Sequence, residues 1–547
     1  MIRNAEVVLK RFEKLKQDRS NWESHWQEIG DYMIPRKNDV NSFKTSGTKR
    51  NALILDNTGM IGCELLSGAL HGMMTSVSSE WFGLTTGDDE LDKDDDARFW
   101  MQDTVKKMHN LFNNSNFQTE IHEFYLDLCG FNTAGMSIME DPISDVYFQT
   151  HFLKELYISE NNKGYVDEIY RCFQWEPKKI IQEFGMANVP QYIREAFEQN
   201  KEEKFEIIHC TYPADELGGV RKRGFRHPFV SQYILTKDKI QLAVRGFEEQ
   251  PWIVARWAKA SGESYGRGPG MNALPEVKML NLMEEVMIRS AQKVMDPPVQ
   301  APDDGFIMPI KLKPGSVNYY RSGSNNKDRV EPIFNDAKIE VGFEIMQARR
   351  ARVKEAFYVD QLQLGQGKEM TATEVVQRTE EKMKILGPLL GRLQVEMLRP
   401  LIDRVFAIMM RKKRFLPLPP SLQREEGVKL GVRFSSIIAK MQRMGEAKSA
   451  FDTLNALGGL VQLDPTILDN INKDRYARGI ANIFNFPQDF MNTKKEVDKI
   501  REGRAQAQQD AMAQQQEAHD AETLNKVTPA IAATKDMEEG EMIEEGQ

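Results

Sequence analysis

The chain has 547 residues, of which 41% are hydrophobic and 28% charged, with a formal net charge of -8 at pH 7. Its length exceeds what one ordinary core requires, so several domains, or one core with long insertions, are expected. The acidic balance argues against a surface built to grip nucleic acid, because tight backbone binding needs Lys and Arg to neutralise phosphates.

No apolar run reaches the roughly 18 residues of a membrane span, and charges interrupt the first twenty residues before a signal-peptide core forms. The expectation is therefore a protein made and kept in the cytosol. Cys63, Cys129, Cys172 and Cys210 are far apart and form no CxxC pair, so buried free thiols are expected rather than disulfides or a thiolate zinc site.

In chain order, Val8, Phe12, Leu15, Trp22, Trp26 and Ile29 recur at steps of three and four, which predicts a long amphipathic helix interrupted in its stripe by Arg19 and ended by Pro35. A second helix is expected within Leu53 to Met74, where Gly59, Gly62, Gly68, Ala69 and Gly72 suggest close packing. Asp88 to Asp96 reads as a solvated acidic connection, since the turn glycine and ligand spacing of an EF-hand are missing. Two further helices, Arg98 to Phe112 and Phe117 to Leu128, are separated by the Asn-rich Asn113 to Asn116.

From Asp145 to Lys259 the texture changes to aromatic and β-branched residues alternating with polar ones. Strands are expected within Asp145 to Leu156, Gly164 to Trp175, Phe205 to Tyr212, Pro228 to Leu235 and Lys239 to Val244, with hairpin tips at Asn161 to Gly164 and Lys237 to Lys239. One helix is expected near Pro177 to Gln199.

After Gly270 the helical period returns. Leu280, Met283, Met287, Ala291 and Val294 form a stripe on a helix that Pro275 helps to start and Asp296-Pro297-Pro298 stops. Ile339, Phe343, Met346, Val353 and Phe357 mark a second helix. Thr371 to Glu374 has capping-box spacing and opens a long helix, kinked at Gly387-Pro388 and Pro400, whose end at Arg411 to Arg414 suits its negative dipole end. Beyond Pro417 to Pro420 a smaller mixed region runs to about Pro487. The Gln-rich, acidic-ended tail from Lys494 has too few large apolar residues for a core, and reads as disordered or as a helix stable beside its own copies.

Catalytic patterns fail on spacing. Gly365 to Lys368 lacks the distant glycine and the Ser/Thr of a phosphate-binding loop, and Gly266 to Gly270 lacks GxGxxG spacing and reads as a tight turn. No HExxH or HxxxH occurs. No catalytic residue, metal ligand or cofactor is expected; the competing reading is a packaging or host-takeover enzyme of unknown reaction.

Four stretches carry a resemblance: Pro251 to Trp257 (PWIVARW), Gly262 to Gly270 (GESYGRGPG), Ala273 to Lys278 (ALPEVK) and Met370 to Val375 (MTATEV). They are similar to the central signatures of the podovirus head-to-tail connector family, and the ending Tyr32 to Arg36 of the first helix is similar in style. The likeness covers most of Met1 to about Pro487. It implies an α+β, mainly helical portal fold and a dodecameric ring at one capsid vertex, with wing (1–270), descending stem helix (271–296), clip (297–335), ascending stem helix (336–358), tunnel loop (359–370), long helix (371–414), wing return and crown (415–493) and a terminal tail (494–547).

The resemblance further implies a virion protein whose partners are its own copies, major capsid and scaffolding proteins, internal core proteins, the terminase large subunit and then a tail adaptor, with double-stranded DNA passing non-specifically and no membrane. Clip contacts to terminase and adaptor would fall on Arg321, Lys327 and Arg329. The tunnel loop would present Gln361, Leu362, Gln363, Leu364, Gln366 and Lys368 to the lumen. If the two stem helices run antiparallel, Glu284 and Glu285 lie near Arg349, Arg350 and Arg352, and Arg289 and Lys293 near Glu340 and Glu344. Such pairs, within or between subunits, would set stem register.

Overall fold

A computed structural model describes residues 3–42, 44, 45, 47–88, 91–214, 227–295, 299, 300, 331, 332, 339–359, 387–423, 431–434, 449–457, 471–483, 490–492 and 496–516. The chain divides into two compact units. The first is Met1–Thr85, Gln102–Pro417 and Leu430–Met441; the second is Thr86–Met101, Leu418–Lys429 and Gln442–Gln547.

In the first unit, α1 (Ala5–Tyr32) is the long helix expected from its stripe. Its two halves serve different cores. Val8, Phe12 and Leu15 pack on one face of a five-stranded antiparallel sheet, whereas Trp26 and Ile29 enter the main core with α2 (Thr58–Met74) and α4 (Phe117–Gly130). Arg19 does not break the stripe by facing water. It is 2% exposed, its guanidinium donating to the carbonyls of Leu153, Lys154 and Leu156, pairing with Glu23 and lying 3.6 Å from the Tyr157 ring centroid. A buried guanidinium is tolerated where its donors are satisfied.

The five-stranded sheet has the order β4 (Leu156–Glu160), β5 (Val166–Trp175), β6 (Phe205–Pro213), β7 (Phe229–Leu235), β8 (Ile240–Phe247). Both faces are covered, as the two-residue period shows: Ile208, Cys210 and Tyr212 of β6 face α1, while Phe205 and Ile207 face the helices α5 (Pro177–Phe184) and α6 (Gln191–Glu198). The expected single helix over this last region is two, separated at Gly185, whose φ of 79 only glycine adopts cheaply, and at Pro190. Gly164 (φ 80) and Lys239 (φ 56) turn the two expected hairpin tips.

A second sheet, order β3 (Asp145–His151), β2 (Thr133–Asp141), β9 (Trp252–Arg256), was only partly foreseen. The first six residues of β2 are all buried, so no polar alternation marks it. A two-stranded pair, β1 (Phe82–Thr85) with β10 (Gly431–Phe434), was not expected either. Along the chain between β1 and β2 comes α3 (Asp95–Asn114), longer at its start than predicted because the acidic run itself supplies its first turn.

The helix after the sheets, α7, spans Pro269–Met295. Pro275 therefore lies inside it rather than starting it, seven residues in, and Pro269 takes the first position where a missing amide costs nothing. Its antiparallel partner is α8 (Ile339–Ala356). Met346 and Val353, with Phe357 just beyond the helix, are buried as the stripe predicted, but Phe343 is 52% exposed. Pro400 is accommodated by a π turn at Gln394–Leu398 immediately before α9 (Arg399–Arg411). The basic end of α9 finds carboxylates rather than serving its dipole alone: Arg411 pairs with Glu140 and Glu249, and Lys412 and Arg414 with Asp145.

In the second unit Asp95 pairs with Arg478 at 2.9 Å and Asp474 with Arg501 at 2.6 Å. Within the acidic run, Asp92 accepts from the Thr86 amide and hydroxyl. A helix over 496–516 has nearly every residue exposed. The capping box at Thr371 lies outside the described residues.

Candidate functional site

Two constructions in the first unit carry the signature stretches. In the first, two glycines of Gly262 to Gly270 meet backbone, Gly268 meets the Asn132 and Trp257 side chains, and Gly262 turns the chain at φ 82. A Cβ at Gly270 would sit 1.9 Å from the Gly130 carbonyl oxygen, and one at Gly266 would sit 2.2 Å from that of Asn132. Close approach, more than a tight turn, is what these glycines supply. Asn132 is itself buried at φ 62, a left-handed conformation that asparagine tolerates. The end of α4 and the start of α7 are thereby clasped.

Arg256, the arginine of PWIVARW, completes the clasp. It is 1% exposed, yet every guanidinium nitrogen has a partner: Glu160, the carbonyls of Ser264 and Gly164, and Glu396 on the π turn at 2.8 Å. Glu396 also accepts from the Arg256 backbone amide at 3.0 Å and from Arg392 at 3.1 Å. One side chain thus ties the edge of the five-stranded sheet, the signature loop and the π turn, and the fork geometry of arginine is what permits it.

The second construction is the α7–α8 pair. Asn281 of α7 is buried and its side-chain oxygen accepts the amides of Leu55 and Asp56, while its amide donates to Val277. Asp56 in turn receives Arg350 at 2.8 Å. Burial would raise the Asp56 pKa, but hydrogen bonds from Thr58 and Arg350 outweigh it and hold the carboxyl below its ordinary range. Gly59 and Gly62 of α2 lie against Val277 and Phe357, so the small residues expected to allow close packing do so here; Gly68 and Gly72 face open space.

The charged residues expected to pair along this hairpin sort as follows. Glu284 meets Arg350 at 3.1 Å. Arg349 and Arg352 meet not Glu285 but Glu276, at 2.6 and 3.5 Å. Arg289 pairs with Glu285 on its own helix, and among the described residues neither Glu340 nor Glu344 makes an ion pair. Lys293 lies near the exposed end of α7. Asp56 and Asn281 were missed, because nothing local in the sequence distinguishes them from other helix and loop residues, and Glu276 stood out only as part of the ALPEVK stretch, not as the partner of Arg349 and Arg352. Gln361, Leu362, Gln363, Leu364, Gln366 and Lys368 of the expected tunnel loop, and Arg321, Lys327 and Arg329 of the expected clip, lie outside the described residues.

Both helices also expose large apolar side chains. On α7 these are Met279 (43%), Leu282 (55%), Val286 (53%), Ile288 (43%), Val294 (47%) and Met295 (86%), and on α8 Val341 (51%), Phe343 (52%) and Ile345 (45%). Such a concentration marks an interaction surface. Among the described residues no group of three or more His, Cys, Asp or Glu could hold a metal ion, and no helix is long and apolar enough to cross a membrane.

This chain belongs to the bacteriophage head to tail connecting protein family, whose model matches residues 5–491. Over 518 residues, 92% of each chain, it is 30% identical to a probable portal protein of Bordetella phage BPP-1. Over 539 residues, 95% of each chain, it is 30% identical to the portal protein of Salmonella phage epsilon15. Its function is accordingly that of a phage portal, a structural connector of the virion with head on one side and tail on the other.

Proposed function

We propose that twelve copies close into a ring at a single capsid vertex, and that this ring is the conduit for double-stranded DNA in packaging and ejection. The observation that carries the reading is the apolar exposure on both members of the α7–α8 hairpin, where Leu282, Val286, Val341 and Phe343 are each more than half exposed. One subunit leaves that hairpin unfinished; neighbouring copies cover it.

In this reading 1–270 is the wing, 271–296 and 336–358 the stem helices, 297–335 the clip, 359–370 the tunnel loop, 371–414 the long helix, 415–493 the wing return and crown, and 494–547 the tail. The clip, with Arg321, Lys327 and Arg329, meets the terminase large subunit and later the tail adaptor. Gln361 to Lys368 line the lumen, where two glycines permit flexure and one lysine gives weak attraction, so DNA passes without being held. Capsid, scaffolding and internal core proteins contact the remaining surfaces. The subunit is made in the host cytoplasm and catalyses nothing.

Negative-stain imaging of the purified full-length chain tests this: annular particles of uniform diameter are expected. Material that stays monomeric at high concentration, together with virions lacking annuli at the vertex, overturns it.

A further inference from the structure

We infer that α7 of one subunit lies against α8 of the next, with Arg289 reaching the neighbour's Glu340 and Val286 seated between the neighbour's Val341 and Ile345. This rests on the ring reading and adds which faces of the hairpin meet.

Met279, Leu282, Val286 and Arg289 step by three and four along α7, on the side opposite the buried Val277 and Leu280. The ridge ends basic: the Arg289 side chain is 70% exposed, and its ion pair is the exposed one with Glu285 a turn back. Exposed pairs of that kind hold a side chain only weakly. On α8, Val341 and Ile345 alternate with Glu340 and Glu344, which are exposed and make no ion pair among the described residues. One ridge is apolar and basic, the other apolar and acidic. Closing a ring by rotation brings two different surfaces of the same chain together, and these two are complementary in charge.

Height decides the register. Rotation about a pore axis along the helices leaves every atom at its own height, so residues that meet across the boundary lie level within one subunit. Inside the hairpin, Gly342 lies against Met287, with Glu284 bonded to Arg350 and Glu276 to Arg349, which sets an antiparallel alignment. Arg289 is two residues beyond Met287, and Glu340 is two residues before Gly342; at about 1.5 Å per residue both are displaced equally in the same direction. Val286 falls level with the interval between Val341 and Ile345. Two residues are also about 200° around a helix, so Arg289 and Glu340 each point away from the contact between their own helices. They cannot pair within the subunit, but they are placed to pair between subunits.

Charge reversal tests the assignment. Arg289→Glu and Glu340→Arg should each lower the yield of annular particles about tenfold or more at moderate salt, since each sets like charges together. The double variant Arg289→Glu with Glu340→Arg should restore the yield to within about twofold. Circular dichroism and thermal melting check that each variant is folded. As a second measurement, Val286→Cys with Val341→Cys in one chain should give a ladder of disulfide-linked oligomers on mild oxidation, and three of the four native cysteines are buried. Wild-type rings with undiminished single variants, a double variant no better than the singles, or crosslinking confined within single chains overturns this interface and leaves the ring intact. Wild-type protein that forms no rings overturns the ring reading, and this interface with it.

Discussion

Arg256 concentrates more of the fold than any other side chain of the signature. Replacing it with Met removes the shared cation, leaving Glu160 to Lys259 alone and Glu396 to Arg392 alone, and orphans the carbonyls of Gly164 and Ser264, which should cost about 1–3 kcal/mol. Arg256→Lys should recover little of this, because an ammonium cannot reach the sheet edge, the loop and the π turn at once. The denaturant midpoint of each variant measures both effects. His209 offers a second test at this scale. It is 3% exposed, bonded to the Ser231 hydroxyl at 2.8 Å and stacked on Tyr233 at 4.0 Å. Burial foremost, then Arg171 and Arg245, lowers its pKa to about 3. The unfolded chain binds a proton near pH 6.5 and the folded chain does not, so stability is full above about 6.5 and falls below it, by about 1.4 kcal/mol per pH unit. Carboxylates held low, such as Asp56 and Glu168, add to the loss only at more acidic pH. His209→Gln should flatten the slope of unfolding midpoint against pH between about 6.5 and 4.5; an unchanged slope would discount His209, leaving His151 and His25, whose pKa values are also lowered by burial, as the source.

Among the elements, α2 separates two uses of glycine within one helix. A Cβ at Gly59 or Gly62 would come within 2.8 Å of Val277 or Phe357. Gly62→Ala should therefore destabilise by about 1–3 kcal/mol through forced displacement of Phe357. At Gly68 and Gly72 nothing lies within 4 Å. Gly68→Ala should stabilise the isolated subunit by up to about 1 kcal/mol, since alanine loses less backbone entropy in a helix. Thermal melting of the two variants side by side shows whether the signs differ. The glycine-rich pattern of α2 was visible in the sequence, but not which glycines touch a neighbour. That depends on α7 and α8, more than two hundred residues away in the chain.

For the whole molecule, the net charge of -8 per chain bears on what the proposed ring would do to DNA. Much of the basic complement is spent on protein: Arg3 and Arg11 on Glu168, Arg256 on Glu160 and Glu396, Arg404 on Glu249. Affinity for a duplex scales with the phosphates that free Lys and Arg neutralise, so assembled rings should not retard linear duplex DNA in a gel at about 0.15 M salt. Retardation that persists there would mean a lumen more basic than the chain as a whole.

Local physics made the long periodic elements legible. The stripe of α1, the pair α3 and α4, the hairpin tips and most strands of the larger sheet follow from spacing and turn chemistry within a few residues. The signature stretches carried the family resemblance, which the comparisons confirmed across nearly the whole chain. Only the tertiary structure decided what each signature residue does. Arg19 read as a flaw until three carbonyls from residues 153 to 156 were found around it. β2 escaped notice because burial on both faces erases the alternation that marks a strand. The charges along α7 and α8 were legible as a set, but the partners Glu276 and Asp56 were not, because they come within reach of Arg349 and Arg350 only once α2, α7 and α8 pack together. Periodicity is a property of neighbours along the chain; pairing and clasping are properties of neighbours in space.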